Sequence, residues 1–293
     1  MSPISRRRFL QAGVAASALV GVGSLPLEAE RATATSQVLL GRSGIKATRL
    51  AFGTGTHGGQ VQRDLGQQEF TRLVRYAYDR GIRFFETSES YDGMHEMLGI
   101  ALKGVPRDSY VLMSKLTTDN ADPQTKIDGL RKAAQTDYFD IMLLHVQTSP
   151  TWPTDSARWQ DGILQMEHKQ AIRSHGASVH GLPALRQVPQ NQWLQVAMIR
   201  MNHKGAHMDA ESPRTHEPGN VDEVVEHVKQ ARNAGLGVIS MKLIGEGSFT
   251  DHSDRQQAMR FAFYNAGVNC VTVGYKSTTE IDEAINNVNL ALT

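Results

Sequence analysis

The chain has 293 residues, 40% of them hydrophobic, with 31 Lys and Arg against 30 Asp and Glu. This near-zero net charge argues against a polyanion as partner, so no nucleic acid is expected. The single cysteine, Cys270, excludes an intrachain disulfide and any cysteine-only metal site, and no internal apolar run is long enough to span a membrane.

Residues 1–34 read as an export signal. Ser5-Arg6-Arg7-Arg8-Phe9-Leu10 precede an uncharged, apolar and small-residue stretch over 12–25. A basic start with a short apolar core is a signal peptide pattern, not a membrane span. The paired arginines followed by Phe-Leu resemble the twin-arginine (Tat) signal, whose machinery exports folded proteins. Cleavage is expected near 29–34 and the destination is expected to be periplasmic. Residues 35–293 then form one domain.

Val38-Leu39-Leu40 and residues 47–50 flank Gly41-Arg42-Ser43-Gly44 and predict a hairpin. Residues 50–53 predict the first buried strand, ending in Gly53-Thr54-Gly55-Thr56. Helical spacing runs over 67–80, with Phe70, Leu73, Val74 and Ala77 on one face, and Gly81 stops it. The second strand, 83–87, hands over through Ser88-Glu89-Ser90-Tyr91-Asp92 to a helix over 93–103. The third strand, 110–113, ends at Ser114-Lys115, and Asp122-Pro123 starts the next helix. The fourth strand, 139–144, ends at His145 and precedes a helix over 156–169. The fifth, 171–179, is interrupted by Gly176. The sixth, 195–201, opens onto a polar loop over 203–220. A helix over 221–234, a seventh strand over 237–241 ending at Lys242, a helix over 253–265, an eighth strand over 269–273 and a helix over 278–292 follow. Eight such repeats with apolar strands predict an α/β fold, a closed (β/α)8 TIM barrel with an N-terminal β-hairpin.

In such a barrel the C-terminal strand ends share one mouth. Glu86, Tyr91, Lys115 and His145 therefore converge from three successive strands. A tyrosine with its ordinary pKa near 10 is a poor acid or base at neutral pH, and a nearby ammonium lowers that value. A carboxylate orients the ammonium, and a neutral imidazole can hydrogen-bond a carbonyl. Singly, each residue has a plainer role: Glu86 and Lys115 as a structural ion pair, His145 as a core histidine, Tyr91 as packing. Their joint occurrence points to proton transfer. His203, His207 and His216, with Asp209 and Glu211, match no metal-ligand spacing, so no metal is expected and the loop reads as solvated. Its length suggests a cover over substrate or cofactor.

Leu40-Gly41-Arg42-Ser43-Gly44, Glu86-Thr87-Ser88-Glu89-Ser90-Tyr91-Asp92-Gly93, Ser114-Lys115 and Leu144-His145 together resemble the aldo-keto reductase family, over nearly everything from Val38 onward. The resemblance implies NAD(P)H-dependent interconversion of a small-molecule carbonyl and an alcohol. Tyr91 would be the acid/base, Lys115 its pKa modulator and His145 the carbonyl orienter, with Glu86 in place of the family's aspartate. Of the residues that hold the nicotinamide amide only Ser178 is kept; Val196-Ala197-Met198 replace the glutamine stretch, and Met241-Lys242 stand where many members stack a tyrosine. Gly53, Thr54, Ser178, Lys242, Gly274, Lys276 and Ser277 are the cofactor-side candidates. The helix start after strand eight suits a phosphate. Lys276-Ser277 is similar to the family's pair at the 2′-phosphate, which favours NADP. Glu280 and Asp282 stand near the family's arginine position and keep NAD open. Two further readings stay open: a degenerate fold that binds cofactor or a partner without turnover, and a Schiff-base lyase using Lys115 or Lys242. A glycosidase is disfavoured, because strands four and seven end in His145 and Lys242 rather than glutamates.

Overall fold

The apolar runs between amphipathic helices form eight parallel strands in the computed structural model, which describes residues 31–212 and 218–293. The arginine motif and apolar core assigned to export lie outside the described residues, as do 213–217 of the long loop. Ala32–Thr293 is one compact unit.

β1 (Gln37–Leu39) and β2 (Lys46–Thr48) pair antiparallel as the hairpin. The barrel strands are β3 (Leu50–Gly53), β4 (Phe84–Glu86), β5 (Val111–Leu116), β6 (Ile141–Gln147), β7 (His175–Val179), β8 (Val196–Arg200), β9 (Gly237–Met241) and β10 (Cys270–Gly274). Each pairs in parallel with the next, and β10 closes on β3. Burial on both faces explains why these strands read as near-continuous apolar runs. Inside the barrel, Ala51, Phe84, Met113, Ile141, Leu143 and Ile239 form one cluster, and Leu40, Ile45 and Ala47 of the hairpin join it. The hairpin thus plugs the end of the barrel away from the strands' C-termini. Gly41 permits this approach: a Cβ there would lie 2.3 Å from Gly237 N.

The helices are α1 (Gln60–Asp64), α2 (Gly66–Asp79), α3 (Met94–Leu102), α4 (Pro123–Ala133), α5 (Trp152–Asp155), α6 (Ala157–His168), α7 (Leu182–Leu185), α8 (Val221–Asn233), α9 (His252–Arg260) and α10 (Thr278–Ala291). α2 buries Phe70, Leu73, Val74 and Ala77, the face its spacing requires. Full burial of each large side chain of that set stabilises by roughly 1.5–3 kcal/mol. Asp122 caps α4, its carboxylate accepting from Thr125 N at 2.9 Å.

Three differences from the sequence reading matter. β5 and β6 run beyond their apolar cores, so Lys115 and His145 are strand residues rather than the first loop residues. α1 and α7 are single turns too short to show a period. The helix expected over 253–265 ends at Arg260, and a π turn, Phe261–Ala266, continues it.

Candidate active site

Glu86, at the end of β4, faces Lys115 on β5 because adjacent parallel strands bring them into one layer. Their side chains form a fully buried ion pair. Lys115 Nζ also donates to Thr87 O at 2.8 Å, and Thr272 Oγ1 on β10 donates to Glu86 Oε2 at 3.4 Å. Burial pulls the Lys115 ammonium well below the usual lysine range, and the charge of Lys242 pulls the same way. The contacts with Glu86 and the Thr87 carbonyl favour the charged form and oppose that desolvation.

Tyr91 follows β4 by a tight turn, its N–H donating to Ser88 O at 3.1 Å. Its ring centroid lies 4.7 Å from Lys115 Nζ and 5.8 Å from the His145 ring, edge to face. Burial pushes the phenol up, and Glu246 adds to the rise. This corrects the expectation that Lys115 lowers it. The ammonium sits over the ring face rather than at the oxygen, and Glu86 neutralises its field. Tyr91 therefore stays protonated at neutral pH.

His145 reaches the mouth through an irregularity that periodicity does not reveal. The β6–β7 register shifts between Leu144 and Gln147, and Val146 has φ 53°. Such a bulge re-aims a side chain. Burial, with the Lys115 and Lys242 charges, pulls the imidazole down to about 2, so it is neutral. His57, His207, Lys242 and Glu246 share the left-handed backbone of Val146 and all four line the adjoining cavity. Backbone held this way by non-glycine residues costs on the order of 1–3 kcal/mol each and gathers at functional sites.

That cavity encloses about 770 Å³ and runs from Gly53, Glu86 and Tyr91 past Met198, Met241 and Lys242 to Gly274, Lys276 and Asn287. Gly53 and Gly55 hold its near wall open: a Cβ on Gly55 would come within 2.5 Å of the Tyr91 phenol oxygen. Lys242 pairs with Glu246. Thr54 is buried and its hydroxyl donates to Glu86 O at 3.0 Å, so it braces β3 against β4. Ser178 lies behind Met241, with its hydroxyl 3.9 Å from the thioether sulfur and 3.4 Å from His180 Nε2. Ser277 Oγ accepts from Glu280 N at 3.2 Å while Glu280 Oε2 accepts from Lys276 N at 2.9 Å. This reciprocal capping box takes up two amides that the sequence reading offered to a phosphate.

Several residues were not singled out from sequence. Asn287, on α10, is buried with both amide atoms unpartnered, as are Gln62 Oε1 and the Tyr275 hydroxyl. Asn287 and Tyr275 line the same end of the cavity. A helical asparagine carries no local signal of this kind. Buried polar atoms ordinarily have partners, so these unpartnered atoms mark that end of the cavity as a candidate binding region. In the long loop, Asp209 is not solvated as expected: it is fully buried and accepts from Arg200 Nε at 2.7 Å. No group of metal-ligating side chains occurs among the described residues.

The family model described as aldo/keto reductase matches residues 49–261, a span that holds Glu86, Tyr91, Lys115 and His145. The chain belongs to the aldo-keto reductase family. The stretches that align with the first curated relatives span 37% and 36% of those relatives' lengths. A stretch of 117 residues, 36% of this chain, is 32% identical to L-galactose dehydrogenase of Arabidopsis thaliana and covers 36% of that relative's length. A solved structure described as an aldo-keto reductase from Pseudomonas aeruginosa superposes with a TM-score of 0.72 at 19% identity, covering 90% of this chain and 98% of that one. An aldo-keto reductase from Klebsiella pneumoniae, solved in complex with NADPH, gives 0.68 at 16% identity over 88% and 90% of the two chains. As the sequence shows, two thioethers, Met198 and Met241, stand beside Ser178: Met198 pairs with it across β7 and β8, and the Met241 sulfur lies 3.9 Å from its hydroxyl.

Buried neutral histidines predict a stability that falls in acid. Burial pulls His95, bonded to Ser114 at 2.8 Å, down to about 4 from an ordinary 6.5. Between those values the unfolded chain binds more protons than the folded one. The stability contributed is whole above pH 6.5 and is lost as pH falls through this window. His145 extends the loss toward pH 2. A lower melting temperature at pH 4.5 than at pH 7 is expected, with a smaller difference in His95→Gln; a flat profile would contradict the buried neutral state.

Proposed function

We propose that the protein reduces a small-molecule carbonyl with NADPH, NADH being the weaker donor, and that Tyr91 gives the proton. The observation that carries this reading is the convergence of a neutral His145 and the buried Glu86–Lys115 pair on a protonated Tyr91, which with Glu86 lines the cavity. When bound, the nicotinamide supplies a hydride to the carbonyl carbon. His145 orients the carbonyl oxygen by a hydrogen bond. Tyr91 O–H donates to that oxygen as its charge develops. Lys115, held by Glu86, packs its ammonium over the Tyr91 ring and fixes where the phenol sits. Lys276 and the unpartnered Asn287 amide suit the adenosine end, and NADPH in the Klebsiella pneumoniae relative supports the choice of cofactor.

A Schiff-base lyase is not favoured, because Lys115 is held by Glu86 and Thr87 and Lys242 by Glu246. The non-catalytic reading draws on Met198 and Met241. Turnover of a generic aldehyde, followed by loss of NADPH absorbance, decides between them, and absence of turnover with tight cofactor binding supports the second.

Lys276 is the exposed cation at the ribose end. Lys276→Ala is expected to weaken NADPH about tenfold, the worth of one charge-assisted hydrogen bond, and to leave NADH unchanged. Equal weakening of both, by fluorescence titration, would remove the 2′-phosphate role.

From the twin-arginine pattern we propose periplasmic export of the folded protein, with cofactor inserted beforehand and the 203–220 loop as its cover. Buried Met208 and Asp209 in that loop support a packed cover. Protein purified from the periplasm without added cofactor should release a nicotinamide dinucleotide detectable by mass spectrometry. Recovery of apo-protein alone would end the retention idea.

A further inference from the structure

We propose that the Ser88 and Ser90 hydroxyls are positioning groups that fix His145 as a hydrogen-bond donor through Nε2. Ser88 Oγ lies 2.9 Å and Ser90 Oγ 3.1 Å from His145 Nδ1, and the two hydroxyls are 3.2 Å apart. The inference rests on the reading of Tyr91 and His145 as the carbonyl-binding pair.

A neutral imidazole has one N–H, and the nitrogen that carries it is set by the bond the other makes. Only one tautomer serves a carbonyl. With the proton on Nε2 the ring donates to the substrate oxygen; with it on Nδ1 a bare lone pair faces that oxygen and repels it. Ser88 Oγ already accepts from Ser90 N–H at 3.3 Å, which engages a lone pair and leaves its proton to be given. Two hydroxyls able to donate thus face the single nitrogen Nδ1. Nε2 has no hydrogen-bond partner among the described residues, so its proton is left for a ligand. Ser88 is fully buried, and water cannot replace its hydroxyl without a cavity. The His145 ring itself is held on two further sides, 5.8 Å from Tyr91 and 6.1 Å from His180, both edge to face. The serines therefore decide ring chemistry more than ring place.

The test is long-range ¹⁵N–¹H correlation spectroscopy on histidine-labelled protein, with the His145 signals identified by their loss in His145→Gln. The wild type should show Nε2–H alone, and the Ser88→Ala/Ser90→Ala double variant a mixture of tautomers. With saturating NADPH and a reactive aldehyde, the double variant should lose roughly tenfold in kcat, the scale of one hydrogen bond, with cofactor affinity unchanged. Ser90 is exposed, so Ser90→Ala and Ser90→Thr guard against a folding defect: the threonine keeps a hydroxyl and should keep the wild-type spectrum and rate. Nδ1–H in the wild type, or a double variant with unchanged tautomer and kcat, overturns the proposal. The spectra need no turnover. Should Tyr91→Phe retain activity, the assignment of Tyr91 as proton donor falls while the tautomer result still judges the serines.

Discussion

Tyr91→Phe is expected to lower kcat for carbonyl reduction by about 10²–10⁴-fold, the usual contribution of a general acid, while NADPH binds as before. The phenylalanine ring keeps the contacts with Lys115 at 4.7 Å and His145 at 5.8 Å, so the site loses a proton and little else. The hydroxyl makes no hydrogen bond among the described residues, and its removal should leave the melting temperature nearly unchanged. The upward shift of the phenol adds a second test. Tyr91 acts as an acid only while protonated, and burial with Glu246 keeps it so beyond the ordinary tyrosine range. Reduction rates should be level from pH 7 to 9, within the range roughly below a free tyrosine's pKa. Near-full activity in the variant would remove Tyr91 from the reaction. A rate that falls steeply above pH 7 would instead show a phenol lowered by Lys115.

Glu86→Ala should be the most destabilising single change at the site. Lys115 is fully buried, and without the carboxylate its ammonium keeps only the Thr87 carbonyl. Removing one partner of a buried ion pair costs about 3–5 kcal/mol. Against a total of roughly 5–15 kcal/mol this is a large fraction, and it corresponds to a melting temperature lower by about 10 °C. Glu86→Asp keeps the charge and shortens the reach by one methylene; Thr272 at 3.4 Å offers a second anchor, so activity should stay within about an order of magnitude. An inactive aspartate variant would mean that the surrounding backbone has adapted to glutamate. The double change Glu86→Gln/Lys115→Met separates stability from chemistry. Replacing both charges by an uncharged pair should recover much of the melting temperature and none of the rate. An unchanged melting temperature in Glu86→Ala would show that the pair carries no stability.

By itself the sequence determined the class of fold and the ring of residues at its mouth. Apolar runs with the length of strands, alternating with helices whose buried face repeats every three to four residues, leave a closed parallel barrel as the way to cover every strand on both sides. Glu86, Lys115 and His145 were legible because a polar residue ending such a run has few places to go except the mouth. Tyr91 was legible through the motif around it. What the tertiary structure alone decided depends on contacts between distant segments. The bulge at Val146 aims His145, and nothing in the run 141–147 marks it, because a bulge is a mismatch with the neighbouring strand. Ser88 and Ser90 stood in view, yet their partner lies 57 and 55 residues away. Asn287 enters the cavity from the last helix, and only packing of α10 on the barrel shows it unpartnered. The direction of the Tyr91 shift also reversed. Proximity to a lysine can be read from a motif, but burial, the position of the ammonium over the ring and the carboxylate that neutralises it are properties of three dimensions. Local periodicity specifies which elements form; register, burial and the pairing of charges arise only when those elements meet.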